Sequence, residues 1–142
     1  MNAKEPKPFR VTRQVRWGDC DPAGIIYTPR ALDYAMETLE AWLEEVLGFT
    51  WSKLNREMSM GMPTVRAELD FLDTPTVDQD LIMELQVVRT GRSSITFRIT
   101  GHDGNGRTFF RAKLISCLVS KPAFEPIEIP GEFRERILAY SG

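Results

Sequence analysis

Apolar and polar residues alternate along Phe9–Trp17. Phe9, Val11, Val15 and Trp17 fall on one face, and Arg10, Thr12, Gln14 and Arg16 on the other. That period of two predicts a half-buried strand. The next seven residues, Gly18-Asp19-Cys20-Asp21-Pro22-Ala23-Gly24, break the pattern with two glycines and a proline and read as a loop. The period then lengthens. Leu32, Ala35, Met36, Leu39, Leu43, Val46 and Leu47 recur at helical spacing, while Glu37, Glu40, Glu44 and Glu45 lie largely off that stripe. Thr28 as N-cap and Pro29 at the first helical position predict the start of this helix, and Gly48 predicts its end. A short second helix is expected over 51–58.

Alternation returns from Met62 onward and predicts strands near 62–72, 81–90, 94–102 and 107–121. His102-Asp103-Gly104-Asn105-Gly106 carries the residues of a tight hairpin turn. Phe110, Ala112, Leu114, Ser116 and Leu118 give the last long strand one face. Pro122–Pro130 reads as a connector, and a terminal helix is expected over 132–140. One long helix among antiparallel strands predicts an α+β layer structure. A single helix cannot cover both faces of five strands, so the sheet is expected to curve and the subunits to associate.

Composition narrows the function. The 142 residues are 42% hydrophobic and 27% charged, with net charge −2, the profile of one globular domain. We expect residues 1–8 to be a flexible lead-in and residues 9–142 a single domain. No general basic field invites nucleic acid. No apolar run is long enough to span a bilayer, and the polar Met1–Pro8 lacks a signal-peptide core. Cys20 and Cys117 make no disulfide framework, so a cytoplasmic protein is expected. The single histidine, His102, leaves no basis for a histidine-rich metal site.

The seven-residue loop carries the most specific chemistry. It sets a carboxylate, Asp21, a few residues before the predicted helix N-terminus. Such an end presents unpaired N–H groups and a partial positive charge. A carboxylate beside an oxyanion-stabilising helix end can separate an acyl group from its leaving group. Taken alone, Asp21-Pro22 is also a common turn pair; its flanking glycines, strand and helix favour catalysis. Asp19 reads better as a loop-bonding carboxylate. Cys20 lacks the nearby base that a thiol nucleophile needs and reads as a small packed residue.

Val15-Arg16-Trp17, Gly18 through Tyr27, and Pro29 with its long helix resemble the 4-hydroxybenzoyl-CoA thioesterase family. A weaker likeness extends to Gly61-Met62-Pro63 and Ile127-Glu128-Ile129-Pro130. The resemblance implies the hot-dog fold, in which a five-stranded antiparallel sheet wraps a long central helix. It implies homodimers joined sheet edge to sheet edge, often paired into homotetramers, with active sites at the dimer interface and no cofactor. Asp21 matches the catalytic carboxylate, as nucleophile or general base. The Thr28 backbone N–H matches the oxyanion donor. Tyr27 matches an aromatic wall position. Trp51, Met62, Pro63 and Thr64 match positions near the acyl group, with core filling the competing reading for Met62. Arg92 matches a contact to the coenzyme A nucleotide, beside Arg89, Ser93 and Ser94. Ser93 stands where one branch has lysine, and Glu125-Pro126 replaces a second basic position, for which Lys121, Arg134 or Arg136 could compensate.

The leading expectation is therefore a thioesterase for an aromatic acyl-CoA such as 4-hydroxybenzoyl-CoA. An aliphatic acyl-CoA or acyl-carrier-protein thioesterase is the first alternative. A hot-dog lyase is disfavoured because no histidine precedes Gly101. A non-catalytic acyl-thioester binding module would need no carboxylate at position 21.

Overall fold

A computed structural model describes residues 8–140 of the chain. All but Pro8 of the expected lead-in lies outside the described residues. The elements are β1 (Phe9–Gln14), a 3-10 turn (Trp17–Asp19), α1 (Thr28–Trp42), a π-helical turn (Leu43–Leu47), α2 (Trp51–Arg56), β2 (Met60–Gly61), β3 (Thr64–Phe71), β4 (Asp80–Thr90), β5 (Ser94–His102), β6 (Thr108–Cys117), β7 (Val119–Ser120), β8 (Glu125–Pro126) and α3 (Gly131–Leu138). The main sheet has the order β1-β4-β5-β6-β3, with every neighbouring pair antiparallel. Residues β2, β7 and β8 contribute form a small second sheet.

α1 lies on one face of the main sheet. Its buried residues are Ala31, Tyr34, Ala35, Thr38, Leu39 and Trp42, and the small alanines let the helix approach the strands closely. Trp42 meets Phe97 of β5 edge-on, with ring centroids 5.0 Å apart. Leu81, Met83, Leu85 and Val87 of β4 complete the core with Ile95 and Ile99 of β5 and Phe110, Ala112 and Leu114 of β6. One long helix against five antiparallel strands is the hot-dog arrangement, as the sequence led us to expect.

Several details depart from expectation. The N-cap of α1 is Tyr27, in extended conformation, so Thr28 stands inside the first turn. The predicted helix continues past Trp42 as a π turn and ends at Gly48, whose φ of 81° suits glycine. Met36 belongs to the predicted stripe but is exposed, and the Thr64 hydroxyl donates to its sulfur over 3.9 Å. Trp17 is predicted to face inward yet is 85% exposed. β1 has ended by then, and the 3-10 turn redirects the chain.

Candidate active site

The loop after β1 is a small hairpin of its own. Cys20 bridges Ile26, Asp21 N donates to Ile25 O at 2.9 Å, and Tyr27 N donates to Asp19 O at 2.8 Å. At its tip Gly24 N donates to Asp21 O, and Gly24 takes a φ of 79° that a side chain would strain. Ile26 N donates to Pro75 O and Ile25 bridges Thr76, which pins the hairpin to the segment before β4.

Asp21 is half-buried. Its Oδ1 accepts from Ala23 N at 2.9 Å, so the turn role weighed in the sequence is present. Oδ2 has no partner among the described residues. Asp21 lines a cleft of about 280 Å³ with Trp17, Cys20, Pro22, Gly24 and Val77. Thr28 opens α1 at the base of the same hairpin. Pro29 has no N–H, and Arg30 N donates to Tyr27 O at 2.8 Å. The Thr28 amide is thus left without an acceptor in the first turn among the described residues. An ionised carboxylate and an open helix-end amide can, respectively, attack or deprotonate and hold developing negative charge. The Tyr27 side chain, at the N-cap of α1, is exposed.

Asp19 is buried and organises this hairpin. Its Oδ2 accepts from the Tyr34 hydroxyl at 2.6 Å and from Arg16 N at 3.2 Å. The guanidiniums of Arg13 and Arg30 lie 3.5 and 4.0 Å from its oxygens. Burial pushes the Asp19 carboxyl up, but these donors and cations outweigh it and hold the group below its ordinary value. The Tyr34 hydroxyl is pushed well above its usual value, first by burial and then by Asp19. The Cys20 thiol is also raised, by burial and then by the negative charges of Asp19, Asp21 and Asp78. A thiol so placed stays protonated, in keeping with the packing role read from sequence.

The remaining sequence-selected residues gather at the other end of the sheet. There β3 begins at Thr64, opposite Ser116, and Ser94 pairs with Cys117. Leu118 N donates to Ser93 O, Cys117 N to Pro63 O, and Ile129 N to Arg92 O. Arg89 and Arg92 are exposed and form no ion pair among the described residues. Met62 is buried against Leu43, Phe49, Ile95 and Leu118, a core position within one chain. Trp51 is half-buried on α2. The residues considered as compensating cations hold structural contacts: Arg134 donates to the Gly91 and Arg92 carbonyls, Arg136 to Leu47 O, and Lys121 to Asn55. β3 alone spans roughly 25 Å, so one chain sets Asp21 and Thr28 toward one sheet end and Thr64, Ser93 and Arg92 toward the other.

Trp17, Val77, Tyr34, Arg13 and Arg30 are the site residues that sequence reasoning missed. A tryptophan immediately before the Gly18 break was a usable signal for Trp17. Nothing local marked Val77.

The long helix against a five-stranded antiparallel sheet defines a hot-dog protein. The chain belongs to the thioesterase-like superfamily, which it matches over residues 15–137. It is 30% identical over 84 residues to a 1,4-dihydroxy-2-naphthoyl-CoA hydrolase of Synechococcus elongatus; the match covers 59% of this chain and 62% of that relative's length. Among solved structures, a thioesterase-superfamily protein from Jannaschia sp. CCS1 is 31% identical, with TM-score 0.88 and coverage of 100% of this chain and 99% of that one. A 1,4-dihydroxy-2-naphthoyl-CoA thioesterase from Synechocystis is 20% identical with TM-score 0.85, covering 93% and 96%, and shares the fold. What is established is thus the thioesterase-like superfamily, broader than the 4-hydroxybenzoyl-CoA branch anticipated from the motif. Among the described residues no helix is long and apolar enough to cross a membrane.

Proposed function

We propose that the protein hydrolyses an aromatic acyl-CoA to the free acid and coenzyme A. The observation that carries this reading is Asp21, set in a cleft on the hairpin that leads directly into the helix whose first amide, Thr28 N–H, is open. Asp21 either attacks the thioester carbonyl to form a mixed anhydride, which water then hydrolyses to free acid and regenerated Asp21, or deprotonates the water that attacks the thioester directly. Thr28 N–H stabilises the oxyanion. The thiolate leaves without strong acid assistance. The bicyclic aromatic acyl group named for the Synechococcus and Synechocystis relatives supports an aryl substrate, and 4-hydroxybenzoyl-CoA stays within that class.

The complete site is shared between two chains. β3 is a sheet edge that carries the exposed Val65 and Phe71 along with Arg66, Glu68 and Asp70, and Leu72 is exposed just beyond it. An unpaired sheet edge with exposed apolar side chains invites a partner strand. Antiparallel pairing of two β3 strands would set the partner's Pro63, Thr64, Arg89, Arg92, Ser93 and Ser94 beside this chain's Asp21 and Thr28. Exposed Arg89 and Arg92 then receive the coenzyme A phosphates, and Tyr27, Trp51 and Met62 flank or back the pocket. We place this homodimer, and a homotetramer built from it, in the cytoplasm, where the two free cysteines are at home.

A thiol-release assay across benzoyl-, 4-hydroxybenzoyl-, hydroxynaphthoyl- and straight-chain acyl-CoAs tests the reading. The aryl thioesters should turn over with the highest kcat/KM. A wide preference for a straight chain would transfer the assignment to aliphatic acyl-CoA while leaving the reaction class intact.

A further inference from the structure

Trp17 is 85% exposed, so its indole is open to a ligand. The local structure enforces it. Arg16 N donates to Asp19 Oδ2 at 3.2 Å and Asp19 N to Arg16 O at 2.9 Å, closing the turn that swings Trp17 away from the core. Tyr34 secures that turn through Asp19. The indole forms a wall of the Asp21 cleft, facing a lining that includes Pro22 and Val77.

We propose that Trp17 determines acyl specificity: a planar aromatic acyl group stacks on its indole while the thioester carbonyl lies at Asp21. The inference rests on the thioesterase reading above. Two observations choose the occupant. The lining of the cleft holds Asp21 and no cationic side chain, which suits the uncharged acyl end better than the coenzyme A phosphates. The cleft of about 280 Å³ sits near the lower bound of roughly 300 Å³ for small-molecule sites, a size for a ring system and not for a nucleotide. Offset stacking of two aromatic planes then supplies selectivity that a flexible alkyl chain cannot match.

The test compares wild type, Trp17→Phe and Trp17→Ala with benzoyl-CoA and hexanoyl-CoA. Trp17→Ala should raise KM for benzoyl-CoA at least tenfold with kcat within threefold, leave hexanoyl-CoA within threefold on both parameters, and be largely rescued by Trp17→Phe. Binding is read separately by tryptophan fluorescence in Asp21→Asn, which holds substrate without turnover. Trp42 is fully buried and Trp51 half-buried, so the spectrum lost in Trp17→Phe isolates the exposed indole. Benzoyl-CoA should quench that component; free coenzyme A should not. Equal losses for both substrates, quenching by coenzyme A alone, or a change of oligomeric state in Trp17→Ala with an unquenched indole would each overturn the inference. Asp21-dependent hydrolysis with a neutral Trp17 would remove this inference only. Absence of hydrolysis in wild type would remove the thioesterase reading and leave the quench to decide the stacking.

Discussion

At the residue scale, two aspartates two positions apart do different work because their surroundings differ. Asp21 sits in a cleft with one oxygen engaged in its own turn, whereas Asp19 is buried under four donors and cations. A depressed carboxyl stabilises the fold fully above its unfolded value of about 3.9 and loses that contribution as pH falls through the lower folded value. Stability measured by urea unfolding should therefore decline below about pH 4, with a shallower decline in Asp19→Asn. Some slope will remain in that variant, since Asp73 and Asp103 are depressed as well. Tyr34→Phe removes a hydroxyl from a buried carboxylate and should cost about 1.5–3 kcal/mol, the range for a hydrogen bond to a charged group. An unchanged urea midpoint in Tyr34→Phe would mean that Asp19 does not latch the loop to α1.

At the element scale, the sequence is most legible where packing follows periodicity. The strands beginning near Phe9, Leu81 and Ser94, and the helix before Gly48, are read from apolar spacing because each buries one continuous face. Legibility fails where a local bond overrides the period. Trp17 continues the β1 alternation, but the Arg16–Asp19 bonds rotate it outward. Thr28 looks like an N-cap, yet Tyr27 takes that place and no side-chain cap bond forms. The small sheet of β2, β7 and β8 is invisible because two-residue strands pair over long range and leave no period to detect. Gly101 shows a close approach that no pattern announces. A Cβ there would lie 2.7 Å from the ring of Phe110, its buried partner across β5 and β6. Gly101→Ala should destabilise by about 1–3 kcal/mol through overpacking, read as a lowered urea midpoint.

At the scale of the whole molecule, the proposed active site depends on assembly. In each chain the helix and loop hold Asp21 and Thr28 toward one sheet end, while Thr64, Arg92 and Ser93, proposed to face the nucleotide, sit toward the other. Sequence spacing alone does not reveal that separation, because it depends on which edge strand is free. Val65 is 62% exposed on the β3 edge, and Val65→Lys should convert the proposed dimer to monomer in light-scattering chromatography, with thioesterase activity falling in parallel. Subunit mixing probes the same arrangement. Asp21→Asn and Arg92→Glu chains, each weak alone, should recover up to about a quarter of wild-type activity when randomly exchanged, since half the dimers then carry one intact site in two. No recovery would mean that each chain works with its own residues.

All of this turns on the carboxylate of the early loop. The most direct measurement is the single-turnover rate of coenzyme A release from an aryl-CoA by wild type and Asp21→Asn under saturating enzyme. Removing a principal acid–base or nucleophilic group should slow that step by about a hundredfold or more, with substrate binding retained. Equal single-turnover rates in the two proteins would contradict the account.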